Sequence, residues 1–105
     1  MVAKITMYLI EDDQWQHSSL HLEVLKYLRE ENIAGAIAYQ AAAGYMGRMR
    51  VKTSTLVEGG GKRPIIVTFV DTDENVQRVL PKLKEMAERR LIVRENVVVE
   101  HGSLE

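Results

Sequence analysis

A pattern that occurs twice limits the folds open to this chain. The segments ITMYLIEDD, at residues 5–13, and IIVTFVDTD, at residues 65–73, each join an apolar, β-rich run to acidic residues just before a predicted helix. Such runs are typical of buried strands. A second strand follows each helix, so the order is β-α-β-β-α-β, which predicts an α+β, ferredoxin-like sandwich: a four-stranded antiparallel sheet with two helices on one face. The predicted strands cover residues 4–10, 35–41, 64–70 and 95–101.

Both helices are predicted from their caps and apolar stripes. The first runs from Ser18 or Ser19, either of which is a suitable N-cap, to about Asn32. The second begins at Asp71, which has capping-box spacing to the acid three residues later, and runs to about Arg90. The stripes expected to face the core are Leu20, Val24, Tyr27 and Leu28 in the first helix, and Val76, Val79, Leu80, Leu83 and Ala87 in the second.

The strand at 35–41 carries apolar side chains on both of its faces. Ile37 and Tyr39 alternate with Ala36 and Ala38, and residues two apart in a strand share a face. The two helices cover one face of the sheet, and the sequence offers no third layer for the other. We therefore expect another subunit to cover the open face.

A long basic insert separates the two halves. Residues 41–64 contain five of the 14 basic residues and a single acid. Arg48 and Arg50 alternate, so an extended segment would place them on one side, where they can bind phosphate by charge-assisted hydrogen bonds. Gly44 would let backbone N–H groups approach an anion. The alternative interpretation is a solvated, mobile basic hairpin, because glycine and arginine in a loop are a weak signal.

Two further groups of polar residues allow other interpretations. Arg89, Arg90 and Arg94 lie around the predicted end of helix two, where the helix dipole alone explains them. His17 and His21 are four residues apart, a spacing used for metal on a helix.

The surroundings of the histidines favour packing over metal binding. The position of His21 between leucines on the helical wheel suggests a packed side chain, and the acids at 11–13 are explained as a solvated turn. Trp15, in the same turn, is expected to close an edge of the core or of a subunit contact.

Composition excludes several classes of protein. With no cysteine, the chain can form neither a disulfide nor a thiolate metal site. The net charge of −1 and the lack of an aromatic platform on the sheet argue against nucleic-acid binding. No acid–base pair suited to catalysis is apparent, so we expect that the protein is not an enzyme and requires no cofactor.

The same features predict a simple organisation. No apolar run reaches the roughly 18 residues of a membrane span, and the N-terminal segment has the pattern of a strand rather than of a signal peptide. We expect a cytoplasmic protein with one domain over residues 1–101, followed by a tail at 102–105 of the kind that cloning leaves.

The chain resembles a known family over residues 4–100. The residues that carry the likeness are YLIEDDQW (8–15), SLHLEVLKYLREENIAGA (19–36), AAGYMGRMRVKT (42–53) and RPIIVTFVDTDENVQRVLPKL (63–83). Their order and spacing resemble the PII signal-transduction proteins, and more closely the PII-like family catalogued as domain of unknown function 190, or UPF0166.

The resemblance implies a function. PII-like proteins are homotrimers whose sheets pack around a central axis. They bind an adenine nucleotide (AMP, ADP or ATP) between subunits, with bicarbonate as a further ligand of carboxysome-associated members. Their long T-loop, here residues 44–62, signals to a transporter or enzyme. The implied site residues are Gly44, Tyr45, Arg48 and Arg50 on one wall, Arg89, Arg90 and Arg94 from a neighbour on the other, and Gly35 and Gln40 on the strand leading there.

Two alternatives remain open. One is a metal-responsive trimer similar to the divalent-cation tolerance proteins, with His17 and His21 as metal ligands. The other is a protein-interaction module without a small-molecule ligand.

Overall fold

The computed structural model describes residues 1–45 and 63–104. Its main sheet contains four antiparallel strands in the order β4-β5-β1-β6, and two helices pack on one face. This confirms the predicted ferredoxin-like fold. The elements are β1 (Val2–Ile10), β2 (Gln14–Trp15), β3 (Ser18–Ser19), α1 (Leu20–Glu30), β4 (Ala36–Gln40), β5 (Pro64–Thr72), α2 (Asp73–Met86) and β6 (Leu91–Val97).

The core lies between the sheet and the two helices. Every second residue of β1 points into it, and these four side chains (Ala3, Ile5, Met7 and Leu9) are inaccessible to solvent. Six residues of the predicted helix stripes are buried, namely Leu20, Val24 and Leu28 of α1 and Val76, Val79 and Leu83 of α2. Tyr27 and Leu80 are only partly buried against the core, and Ala87 is buried just beyond the end of α2. Trp15 packs against this core, as expected, with the Lys82 ammonium 5.3 Å from the centre of its ring.

Both helices are shorter than predicted. α1 ends at Glu30 rather than near Asn32, and α2 ends at Met86 rather than near Arg90. The N-cap of α2 is Thr72, whose hydroxyl accepts a hydrogen bond from the Asn75 N–H at 3.2 Å. The prediction of Asp71 as the cap was wrong, because β5 continues to Thr72 and buries Asp71.

The last strand is also displaced from its prediction. β6 pairs with β1 from Leu91, opposite Tyr8, to Val97, opposite Val2, so it begins four residues before the expected position 95. Val98 and Val99 therefore lie beyond the ladder and are 81% and 40% exposed. The high β-propensity of the valines led to a predicted strand at 95–101, whereas the register with β1 determines that residues 91–97 pair.

The connection from β1 to α1 contains a small hairpin. β2 and β3 form two residue pairs, Gln14 with Ser19 and Trp15 with Ser18. The two turn residues between them, Gln16 and His17, have φ of 50° and 70°. Positive φ at both central positions is the requirement of a type I′ turn, the turn whose twist matches a two-residue hairpin.

The sheet face away from the helices carries an apolar row whose two outer members are exposed. In register across the four strands stand Tyr39, Ile66, Tyr8 and Leu91. Tyr39 is 53% and Leu91 57% exposed, and Ile37, on the same face of β4, is 61% exposed. The face for which the sequence predicts a covering subunit therefore does expose apolar side chains. In the described parts of the chain, no helix has the length and apolar character to cross a bilayer.

Candidate functional site

The basic insert leaves the sheet at an end where three strands converge. The Glu11 N–H, just after β1, donates to the Arg63 carbonyl at 2.9 Å, and the Ala41 N–H, just after β4, donates to the Pro64 carbonyl at 2.9 Å. A cleft of about 340 Å³ lies here, and its lining residues are Glu11, His21, Ala38, Tyr39, Gln40 and Ile65. The predicted residue Gln40 is therefore in a cleft at the root of the insert.

Hydrogen bonding in this region is incomplete. The Gln40 side-chain amide donates to the Glu11 carboxylate at 2.8 Å. In contrast, His21 Nδ1 and Arg63 Nε are buried and lack a hydrogen-bond partner within the described residues. Buried polar nitrogens in folded proteins are nearly always paired, so two unpaired ones make this end of the sheet the candidate site for a polar ligand.

The 44–62 loop begins with a glycine that the geometry favours. Gly44 has φ of 156°, and a Cβ there would lie 3.3 Å from Cγ of Pro64, the first residue of β5. Tyr45, the next residue, is 65% exposed. Arg48 and Arg50 fall outside the described residues, so their predicted roles stay predictions.

Gly35 does not lie at this cleft. It precedes β4, whereas Gln40 ends the strand, and five strand residues span about 17 Å. A Cβ at Gly35 would contact nothing within 4 Å, so the backbone there does not require a glycine. The structure therefore separates two residues that the sequence interpretation had placed together.

The three arginines at 89, 90 and 94 do not form one cluster. Arg90 makes two 2.7 Å hydrogen bonds to the Asp13 carboxylate. Arg94 lies within β6, which runs back along α2, and its guanidinium is 2.7 Å from Asp73 at the start of that helix. Of the three, only Arg89 is exposed and without an ion pair to the described residues. The prediction that all three lie around the end of helix two was wrong, because that helix ends early and β6 carries Arg94 away.

Asp13 is structural rather than a solvated acid. Its side chain accepts from the Ile10 N–H at 2.9 Å as well as from Arg90. Burial alone would raise the pKa of Asp13, but the hydrogen bonds from Arg90 and Ile10, with the charge of Arg90, outweigh it and lower that pKa below its ordinary value. The prediction of a fully solvated acidic turn was therefore wrong at this position.

Asp71 occupies the equivalent place in the second half of the chain. It is 1% exposed and accepts hydrogen bonds from the Ala34 N–H at 3.0 Å, the Thr72 N–H at 2.7 Å and the Asn75 amide at 2.8 Å. Burial alone would raise its pKa, but these hydrogen bonds outweigh that effect and lower the pKa. Asp13 thus holds an arginine that follows α2, whereas Asp71 holds a backbone group that follows α1.

These two carboxylates make the fold sensitive to acid. A group whose pKa is lower in the folded than in the unfolded chain contributes stability above its unfolded pKa and loses it as the pH falls. Both Asp13 and Asp71 are of this kind, with ordinary values of 3.8. We expect the free energy of unfolding to decrease as the pH falls below about 4, measured by urea denaturation between pH 7 and pH 3. A flat profile over that range would contradict the assignment.

The two histidines do not share a helix face. His17 lies in the β2–β3 turn and is exposed, whereas His21 lies in the first turn of α1 and lines the cleft. His17 therefore lies outside the helix, and the two histidines do not have the helical spacing on which the metal-pair alternative depended. Across residues 1–45 and 63–104, no group of three or more histidine or acidic side chains is arranged to hold a metal ion.

Sequence reasoning missed two residues that line this cleft, Glu11 and His21, and a third beside it, Arg63, as ligand-binding candidates. His21 was weighed only for metal, Glu11 was assigned to a solvated turn, and Arg63 was counted as part of the basic insert. A signal for Arg63 was present, because it directly precedes Pro64 at the start of a predicted strand and so lies at a fixed root of the insert. Nothing in the sequence indicated that Gln40 and Glu11 would meet.

Comparison with known proteins gives a family and a fold. A family model named DUF190 and described as "Uncharacterized ACR" matches residues 2–99. A UPF0166 protein of Methanocaldococcus jannaschii is 36% identical over 85 residues, which cover 80% of this chain and 78% of the relative. A UPF0166 protein of Aquifex aeolicus is 24% identical over 80 residues, or 76% of each chain.

Solved structures show the same fold at low identity. The divalent ion tolerance protein CutA1 of Ehrlichia chaffeensis has a TM-score of 0.64 at 10% identity, covering 95% of this chain and 84% of that one. CutA of Pyrococcus horikoshii has a TM-score of 0.63 at 15% identity, covering 96% and 88%. At these identities the likeness concerns the fold alone.

Proposed function

The chain belongs to the DUF190 (UPF0166) family, and on that basis we propose that it is a cytoplasmic, homotrimeric regulator that binds an adenine nucleotide beside its 44–62 loop. One observation carries the proposal: two buried nitrogens, Arg63 Nε and His21 Nδ1, lack partners among the described residues at the end of the sheet from which a basic insert leaves. The protein acts by binding rather than by catalysis.

The chemistry of the cleft suits a ligand with an anionic and a neutral polar part. The Arg63 guanidinium donates to phosphate or bicarbonate oxygens, and such charge-assisted bonds are about twice as strong as neutral ones. The Gln40–Glu11 pair offers an amide and a carboxylate, which suit ribose hydroxyls or the adenine edge. Because Glu11 repels phosphate, we place the phosphates on the side of Arg63. Arg48 and Arg50, which lie outside the described residues, stay predicted phosphate ligands.

Self-association supports the same proposal. The apolar row that crosses all four strands exposes Tyr39 and Leu91 at its two ends, and exposed apolar patches on small domains are usually covered. In the trimer that the family resemblance implies, Arg89 of one subunit would contribute to the site of another. The loop would then signal the concentration of the ligand, provided that the ligand binds one conformation of the loop better than another.

Isothermal titration calorimetry with AMP, ADP, ATP and bicarbonate tests the site. We expect a nucleotide to bind the wild-type protein and Arg63→Gln to weaken it at least tenfold, because the variant loses the charge and the Nε donor. Arg94→Gln is the matched control, since Arg94 is held by Asp73 at the far end of α2. Equal losses in the two variants, or no binding by the wild-type protein, would contradict the proposal.

A second candidate is a metal-responsive trimer. His21 and Glu11 line one cleft, and the structural neighbour from Ehrlichia chaffeensis is a divalent ion tolerance protein. A thermal-shift screen with divalent cations separates the two functions. Stabilisation by a metal that His21→Ala abolishes, with no effect of nucleotide, would favour this candidate.

A further inference from the structure

The outer edge of β4 is an exposed strand edge without the usual protection. β4 pairs with β5 on one side only, and no other strand of the described structure adjoins it. Its sequence, AIAYQ, contains neither a charge nor a proline. Natural proteins protect open edges with charges, prolines or bulges, because an unprotected edge pairs with any available strand. An edge of this composition indicates a strand that is paired in the working protein.

The direction of the backbone groups on this edge follows from the ladder. The Ala41 N–H donates to the Pro64 carbonyl, and donors alternate between the two sides of an antiparallel strand. The N–H groups of Tyr39 and Ile37 therefore also face β5. Those of Ala36, Ala38 and Gln40 face outwards, together with their carbonyls, and form a template for one more strand.

A segment suited to this template follows β6. Val98 and Val99 continue a run of three valines, a strong β-forming sequence, yet neither pairs with a strand in the described structure. The ladder with β1 stops at Val2, and the carbonyl of Met1 instead accepts a hydrogen bond from the Asp73 N–H at 3.1 Å. The valines that predicted a strand at 95–101 thus project beyond the sheet of their own subunit.

From these observations we infer that Val98 and Val99 of one subunit pair with the outer edge of β4 in a second copy of this chain. The inference rests on the proposed self-association and names the segments that form it. The contact is heterologous, because it joins two different parts of the chain, so repeating it gives a ring where the rotation between subunits closes, as in the proposed trimer, and an open filament where it does not. Backbone hydrogen bonds supply the attraction, as in strand addition to other open sheets.

Engineered cysteines test the pairing directly, because the natural chain contains none. Side chains on one face of β6 alternate, so Val98 continues the helix-facing row, which Ala36 and Ala38 occupy in β4. We expect the double variants A38C/V98C or A36C/V98C to form disulfide-linked oligomers on oxidation. The matched control A38C/V99C places the thiols on opposite faces and should remain unlinked.

The proline variant Ala38→Pro gives an independent measurement. Its ring removes an outward-facing donor, and the ladder with β5 is kept, as edge strands allow. Native mass spectrometry should show loss of the oligomer, while circular dichroism shows a folded chain. A wild-type monomer would overturn both the inference and the proposed assembly. A wild-type oligomer in which neither cysteine pair links and Ala38→Pro changes nothing would overturn the inference alone.

Discussion

Replacing Asp71 with alanine is expected to lower the free energy of unfolding by about 3 kcal/mol, the largest effect of any single polar change in the described structure. The substitution leaves the Ala34 N–H, the Thr72 N–H and the Asn75 amide without their acceptor. Each unpaired buried donor costs roughly 1–3 kcal/mol. These three hydrogen bonds are only partly buried, so water replaces part of what the donors lose. Urea denaturation at pH 7 measures the loss.

Asp73→Ala is the matched control for that prediction. It removes a carboxylate two residues further on, whose pair with Arg94 is more than a third exposed on both sides. Exposed pairs contribute about 1 kcal/mol or less. Asp71→Asn should fall between the two, because it keeps one acceptor oxygen. Equal losses for Asp71→Ala and Asp73→Ala would show that the buried network does not stabilise the fold.

Arg90→Met is the second large change, and we expect it to cost about 2 kcal/mol of stability. The pair with Asp13 is intermediate in burial between an interior and a surface ion pair. Removing one partner of an interior pair costs roughly 3–5 kcal/mol, whereas a surface pair contributes about 1 kcal/mol. The methionine keeps apolar contacts and leaves the Asp13 carboxylate with the Ile10 N–H. Thermal unfolding measures the change.

The companion variants separate a structural role for Arg90 from a ligand-binding one. Asp13→Asn should destabilise by a similar amount, and the double variant by less than the sum of the two, because contacting residues are not additive. Nucleotide affinity of the folded Arg90→Met protein should stay within a few-fold of wild type. Additive losses, or an affinity loss equal to that of Arg63→Gln, would contradict the structural assignment.

The fold followed from the sequence because its signals were redundant. The repeated apolar runs, the helix stripes and the acids before each helix all indicated one topology. Boundaries failed where tertiary contacts decided them. Asp71 looked like a cap because its position suits one, yet it serves a backbone group 37 residues away in sequence. Val98 and Val99 looked like strand because their propensity is high, but register with β1 excluded them.

The candidate site was predicted less well, for a physical reason. Local spacing shows which residues are near in sequence, whereas the cleft joins Glu11, His21 and Gln40 from three separate places in the chain, with the Arg63 carbonyl bonded to Glu11 beside it. Gly35 and Gln40 were grouped because they share a strand, and the strand separates them by its own length. Arg90 and Arg94 were assigned to a ligand through the family resemblance, and their ion pairs with Asp13 and Asp73 could not be predicted from local spacing because the partners are distant in sequence.

The exchange of hydrogen bonds between the two repeated halves bears on how the chain could have arisen. Asp13 belongs to the first half and holds the chain where it leaves the second helix, and Asp71 does the converse. Each half therefore supplies a side-chain acceptor to the segment that leaves the helix of the other half. If the chain descends from a duplicated half, the ancestor would have obtained these contacts from a second molecule of itself. The present protein would then be a fused dimer, and its halves should melt in one cooperative transition rather than in two.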